Sequence, residues 1–139
     1  MPLPRFAPPA DLMIGERFWE ALAEGELSLP RCTSCGTWEW YPHEMGPHCP
    51  DGEREWARLP GTGSVFTFTT VRRPFLPENS REDVPYVVII VEPDGAEGVR
   101  LVGNLADGVD PAIGMRVSLD GGTSAGKRHP VFRPLDEAG

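Results

Sequence analysis

Three cysteines are the residues of this chain best suited to chemistry. Cys32 and Cys35 are separated by two residues and are followed at once by Gly36. Two thiolates at this spacing can hold one metal ion, and a glycine lets the loop turn its N–H groups toward sulfur. Cys49 ends a second, incomplete knuckle, because Gly46 stands where its partner cysteine would belong. The spacing therefore predicts a degenerate zinc ribbon with three sulfur ligands.

Three interpretations of this cluster stay open. In the first, zinc binds to the cysteines and His43 is the candidate fourth ligand, since His48 directly precedes Cys49 and adjacent residues ligate one ion awkwardly. In the second, the ribbon keeps its shape without metal around four aromatic side chains: Trp38, Trp40, Tyr41 and Trp56. In the third, an open zinc site with bound water is catalytic. Two-knuckle ribbons are structural modules and no general base is evident nearby, so we predict no catalytic residue.

Charge and composition argue against several classes of protein. The chain has 139 residues, a formal net charge of −8 and 40% hydrophobic residues, which suits a packed core. Nucleic-acid binders normally carry a basic stripe, and none is visible here. The longest apolar run, residues 87–91, is far shorter than the roughly 20 residues that span a bilayer. The N-terminal residues lack the apolar core of a signal peptide, so we expect a cytoplasmic protein without membrane contact.

Helix and strand patterns divide the chain into three predicted parts. Residues 1–30 form a Pro-rich arm, a short helix at 16–24 with one apolar face, and a strand that leads to the first cysteine. Residues 31–58 form the ribbon. Residues 59–139 form a five-stranded barrel with a C-terminal tail, because short apolar segments alternate with Gly and Pro turns. The five predicted barrel strands are 64–71, 86–91, 99–105, 115–119 and 131–132.

A series of short motifs runs in a specific order through residues 16–134. In chain order they are FWEAL (18–22), EGEL (24–27), RCTSCG (31–36), EW (55–56), GTGSVFTFT (61–69), PYVV (85–88), GVRLVGNL (98–105), IGMRV (113–117) and PVFRP (130–134). Together they resemble the zinc-ribbon plus OB-fold family that accompanies acyl-CoA metabolism, a domain family without an assigned function. The family shows four cysteines. This chain departs from that pattern at Gly46, which bears on zinc binding and leaves the fold unaffected.

The resemblance implies a mainly β protein: an N-terminal helix, a rubredoxin-like zinc ribbon, and a five-stranded OB-fold barrel, with zinc as its one expected cofactor. It also implies a non-catalytic accessory subunit of a thiolase-fold acyl-CoA enzyme. The specific expectation is a retro-aldol lyase that cleaves a β-hydroxyacyl-CoA in steroid side-chain degradation. A hotdog-fold enoyl-CoA hydratase is a further implied partner, so we expect a hetero-oligomer.

Four further side chains are candidates for contact with a ligand or partner. Arg72 and Arg73 end the first barrel strand, and guanidinium forks suit the phosphates of CoA; the alternative is an exposed loop start. Trp38 and Trp40 share one strand face and are either a partner hot spot or part of the ribbon core. Two alternative functions follow. One is an acyl-CoA carrier that uses Arg72, Arg73 or Arg81, and the other is an OB-fold nucleic-acid binder, which the acidic charge disfavours.

Overall fold

The computed structural model describes residues 16–40, 49, 51–73, 84–124 and 130–135. Two helices and seven strands lie in these residues. In chain order they are α1 (Glu16–Ala23), β1 (Leu27–Cys32), β2 (Arg54–Leu59), β3 (Thr62–Val71), β4 (Tyr86–Pro93), β5 (Leu101–Leu105), β6 (Arg116–Leu119), α2 (Gly121–Ser124) and β7 (Val131–Pro134).

Helix α1 forms where the sequence predicts it. Phe18 and Leu22 lie one turn apart and are the two residues that the helix buries. The helix ends before Gly25, whose φ of 79° is a left-handed conformation that L side chains rarely adopt. The N–H of Gly25 donates to the carbonyl of Leu22, which closes the last turn.

Strands β1 and β2 form the frame of the ribbon. They pair antiparallel, with Leu27 opposite Leu59 and Cys32 opposite Arg54. Leu27 and Leu29 are both buried, since alternate residues of a strand share one face. Because Cys32 is the last residue of β1, the pairing holds its thiol at one end of this two-stranded sheet.

The other five strands close into a barrel in the order β3-β4-β5-β7-β6. The barrel closes where β3 pairs with β6, and all neighbours are antiparallel except β5 and β7. Gly103 of β5 lets the barrel pack tightly, because a β-carbon there would lie 2.9 Å from the Phe132 ring. The predicted fold class, a helix and ribbon followed by a five-stranded OB barrel, is confirmed.

One hydrophobic core runs from α1 and β1 into the barrel. Gly25 and Gly121 bring α1 close to α2, and a β-carbon on Gly121 would lie 2.9 Å from the carbonyl oxygen of Gly25. Each fully buried large apolar side chain contributes on the order of 1.5–3 kcal/mol to folding. The buried cluster consists of Phe18, Leu22, Leu27, Leu29, Leu59, Val65, Ile89, Val91, Ala96, Val99, Leu101, Leu105, Val117 and Phe132.

The sequence did not predict helix α2. Its first turn is capped by Asp120, whose carboxylate accepts hydrogen bonds from the N–H and hydroxyl of Thr123 at 3.1 and 2.9 Å. The arm at 1–15 lies outside the described residues, and the domain boundaries at 30/31 and 58/59 stay predictions. None of the helices in the described ranges is long and apolar enough to cross a membrane.

Candidate metal centre

The three predicted cysteine ligands come together in space. The sulfur atoms of Cys32, Cys35 and Cys49 all lie within 4.8 Å of one another. Zinc–sulfur bonds of about 2.3 Å in a tetrahedron place sulfur atoms about 3.8 Å apart, so a small adjustment would close the cluster on one ion. Cys32 is buried, Cys49 is partly buried and Cys35 is exposed. The donor set fits zinc, and the cluster can bind it.

A tight loop positions the first two sulfurs. The N–H of Gly36 donates to the carbonyl of Cys32 at 2.8 Å, and Gly36 takes a φ of 76° to make the turn. The N–H of Cys32 donates in turn to the carbonyl of Thr37 at 2.9 Å. Arg31 and Trp38 then form an isolated antiparallel bridge. The knuckle is therefore a hairpin held by backbone hydrogen bonds and by the turn at Gly36.

A second loop brings Cys49 to the first pair. The N–H of Gly52 donates to the carbonyl of Cys49 at 3.0 Å, which folds the chain back toward β2. Thr33 and Glu53 exchange two hydrogen bonds of 2.9 Å, from the Thr33 N–H to the Glu53 carbonyl and from the Glu53 N–H to the Thr33 hydroxyl. These bonds lock the two loops together across the cluster.

The thiols of the cluster differ in pKa. The backbone N–H of Cys35 lowers the pKa of Cys32 to about 7, and the backbone N–H groups of Cys49 and Ser34 act in the same direction. The pKa of Cys49 is raised to about 11 because its thiol hydrogen-bonds to the Cys35 sulfur. Zinc binds deprotonated sulfur, so metal binding displaces the remaining protons.

A zinc ion in this place would be a structural link. It would join the end of β1 to the loop that enters β2, and its binding free energy would add to that of folding. His43, the predicted fourth ligand, lies outside the described residues, as does Gly46, so the fourth ligand stays a prediction. Within the described ranges, the three cysteines form the one cluster with metal-ligand geometry.

Trp38 and Trp40 lie against the protein's own core as well as at its surface. The ring of Trp40 is centred 4.4 Å from that of Phe18, and Trp19 completes this aromatic group. The guanidinium of Arg31 lies 5.5 Å from the Trp38 ring. Both tryptophans are only partly buried. A partner contact through their exposed edges stays a prediction.

Arg72 and Arg73 are exposed and follow the end of β3. Arg72 lines a groove of about 430 Å³ at one end of the barrel, and Arg73 does not. Asp107 and Asp110 line the same groove, so two carboxylates would oppose a phosphate there. A role for either arginine in CoA binding stays a prediction.

Two contacts in the structure were not predicted from the sequence. Gly52 leaves room for the Cys32 sulfur, because a β-carbon at this position would lie 2.6 Å from it. The triplet Pro50-Asp51-Gly52 is a turn signal that marks this position. Arg116 bridges β6 to the turn after β4 through a two-pronged ion pair with Asp94, and no local pattern reveals that contact.

Two family models match the chain in the order of its structural parts. The rubredoxin-like zinc ribbon domain of ChsH2 matches residues 19–55, and the C-terminal OB-fold domain of ChsH2 matches residues 56–121. A solved structure described as the Ltp2–ChsH2(DUF35) aldolase contains a chain that is 34% identical, with a TM-score of 0.71. The match covers 91% of the present chain and 98% of that chain. The chain belongs to the ChsH2 family.

One further relative and one protein of similar fold extend the comparison. A protein of Thermomonospora curvata, named a probable enoyl-CoA hydratase alpha subunit, is 37% identical over 122 residues. The match covers 84% of the present chain and 36% of that protein, so the chain spans about a third of its relative's length. A DUF35 protein of unknown function from Sulfolobus solfataricus is 13% identical with a TM-score of 0.59, which shows a shared fold.

Proposed function

We propose that this ChsH2-family chain is a non-catalytic docking subunit of a thiolase-fold acyl-CoA enzyme, specifically a retro-aldol lyase that cleaves a β-hydroxyacyl-CoA. The observation that carries the proposal is the 34% identity over 98% of a chain in the Ltp2–ChsH2(DUF35) aldolase. One relative of the same extent is thus part of a structure described as the Ltp2–ChsH2(DUF35) aldolase. A steroid side chain as substrate belongs to the same proposal.

The chemistry of the reaction supports separate roles for this chain and its partner. Retro-aldol cleavage needs a base for the hydroxyl proton and an oxyanion hole for the thioester enolate. The carboxylates of Glu39, Glu92 and Asp94 each pair with an arginine, so they serve the structure of this chain. We therefore assign the base and the oxyanion hole to the partner. The ribbon and barrel supply a rigid body that holds the partner in its active form.

The experiment is a reconstitution. The thiolase-fold enzyme made in the same cells is purified with this chain and without it, and retro-aldol turnover of a β-hydroxyacyl-CoA is measured for each protein and for the mixture. We expect turnover only when both proteins are present. Turnover by this chain alone would overturn the proposal, and so would full activity of the partner without it.

A second candidate function is suggested by the Thermomonospora relative. That protein is named a hydratase subunit, and the matched region is only part of it. We infer that the present chain also links the lyase to an enoyl-CoA hydratase, whose product is the β-hydroxyacyl-CoA that a lyase would consume. Sedimentation of the three proteins together tests this. A ternary complex is the expected result, and separate boundaries for the hydratase and the other two would contradict it.

A further inference from the structure

Phe66 faces away from the barrel core at a break in strand register. Val65 pairs with Val91 and Thr67 pairs with Ile90, so Phe66 has no residue opposite it. Alternation from the buried Val65 turns Phe66 outward, and the β-bulge leaves Thr67 exposed as well. The side chain of Phe66 is 53% exposed, while Val65 beside it is buried in the core. A large aromatic ring therefore faces solvent in the middle of a closed barrel wall.

Ile113 belongs to a segment whose backbone is hydrogen-bonded to β3 at Val65. The N–H of Gly114 donates to the carbonyl of Val65 at 2.8 Å, and the N–H of Val65 donates to the carbonyl of Met115 at 3.0 Å. These two bonds hold the segment that carries Ile113 against the residue before Phe66. Ile113 is 71% exposed. Among the described residues, Phe66 and Ile113 are the exposed large apolar side chains, and the backbone segments that carry them are hydrogen-bonded to each other.

Half-buried apolar residues extend this surface across the barrel. Thr67 is exposed and lies opposite Ile90, which lies opposite Val102. Residues directly opposite one another in neighbouring strands share a face, so Ile90 and Val102 point outward with Thr67. Both are partly exposed. We call the surface formed by Phe66, Ile90, Arg100, Val102 and Ile113 the Phe66 patch.

Arg100 gives the patch a directional polar group. Its guanidinium carbon lies 4.2 Å from the centre of the Phe66 ring. Its Nη1 donates to Glu92 at 2.8 Å and to the carbonyl of Val99 at 3.2 Å. The Nε and Nη2 groups donate to none of the described residues. This side of the guanidinium fork matches the geometry of a carboxylate that arrives from outside.

We propose that the Phe66 patch is the surface by which this chain docks onto its acyl-CoA enzyme, and that the enzyme meets it with an apolar face that carries a carboxylate opposite Arg100. The proposal rests on the proposed function. An aromatic ring and an arginine at the centre, with few charges, is the composition of a protein–protein interface core. Glu92 balances the charge of Arg100, so the patch is neutral in a chain of net charge −8.

Two other occupants fit the observations less well. OB-fold barrels bind single strands through several aromatic and basic side chains, but this patch carries a single arginine in a chain of net charge −8. A second copy would bring another net charge of −8 against the first. A protein partner whose net charge is less negative meets neither objection.

The test uses the complete chain and the acyl-CoA enzyme that co-purifies with it from the cells that make both. The dissociation constant is measured by calorimetry for wild type, Ile113→Glu, Phe66→Ser and Arg100→Gln. Phe66→Leu keeps an apolar side chain at the same place. Arg58→Gln is the matched charge control, since Arg58 is exposed and pairs with Glu26 on the ribbon. We expect about a tenfold or larger loss of affinity for the first three variants and less than about twofold for the two controls.

Each outcome decides a separate question. Wild-type affinity in Ile113→Glu, whose position on the surface spares the fold, would overturn the docking surface and leave the proposed function standing. Failure of the wild-type chain to bind any acyl-CoA enzyme would overturn the proposed function itself. If the wild-type chain binds an oligothymidylate and Phe66→Ser does not, the patch binds nucleic acid and the proposed protein partner is wrong. Light scattering tests for a second copy. If the wild-type chain is a dimer and Ile113→Glu is a monomer, the patch binds a second copy and the proposed partner is wrong.

Discussion

The sulfur of Cys32 lies so close to Gly52 that a β-carbon at position 52 would be only 2.6 Å from it. A side chain there must displace the Cys32 thiol or the backbone beside it. We predict that Gly52→Ala weakens zinc binding by about tenfold, the scale seen when groups around metal ligands are changed. Titration against a chromogenic chelator measures this. Gly122→Ala is the control, because its β-carbon meets only the Asp120 carboxylate, at 3.9 Å. Equal affinities in the two variants would contradict the prediction.

Removal of one sulfur should release the metal. Cys49 is the single described ligand from the second knuckle, so Cys49→Ser leaves two sulfurs at best from the described cluster. We expect the zinc content, measured by mass spectrometry of metals, to fall from about one ion per chain to near zero. The melting temperature of the protein should fall as well, because metal binding contributes to folding. Ser28→Ala, on the same strand as Cys32, should retain its zinc.

Acid should weaken the link between β6 and the turn after β4. Arg116 and the Thr62 hydroxyl lower the pKa of Asp94 to about 2 from its usual 3.8. A carboxyl whose folded pKa is lowered stabilises the fold above its unfolded pKa and loses that contribution as the pH falls through the folded value. We therefore expect unfolding free energy to decline between about pH 4 and pH 2.

The matching variant is Asp94→Asn. It should cost about 1 kcal/mol at neutral pH, since the pair is more than a third exposed and partly screened by solvent. It should also flatten the decline below pH 4, as measured by urea unfolding at several pH values. Glu97→Gln changes an exposed carboxylate in the same turn and should keep the wild-type profile. An unchanged profile in Asp94→Asn would show that this pair does not govern acid stability.

Crowding around Gly103 should make any larger residue at this position destabilise the barrel. A β-carbon there would lie 2.9 Å from both the Phe132 ring and the Pro130 carbonyl. We predict that Gly103→Ala destabilises the protein by about 1–3 kcal/mol, the usual cost of overpacking. Urea unfolding of Gly103→Ala, Phe132→Leu and the double variant tests the cause. The double variant should lose less than the sum of the two single changes, because the smaller side chain relieves the clash. Strict additivity would rule out the Phe132 contact as the cause.

Local patterns were sufficient for the elements of this fold. The apolar face of residues 18–22 predicts α1, and the runs at 64–71 and 86–91 predict β3 and β4. These predictions are possible because the periodicity of a helix or a strand is visible over a short stretch of sequence. The Cys-x2-Cys spacing predicts the knuckle for the same reason. Helix α2 was missed since its four residues carry no apolar period and depend on a cap from Asp120.

What the sequence by itself determined, then, is the identity and order of α1, β1 and the five barrel strands, and the three sulfur ligands. Strict alternation along β3 would place Phe66 and Phe68 on the same face. Only the closed barrel decided otherwise: Phe66 faces solvent next to the buried Val65, and the bulge between Val65 and Thr67 turns Phe68 toward the core. The approach of Gly52 to Cys32 and of Arg116 to Asp94 was settled in the same way. Register, bulges and contacts between distant residues depend on how strands pair across the whole barrel, and no short stretch of chain contains that information.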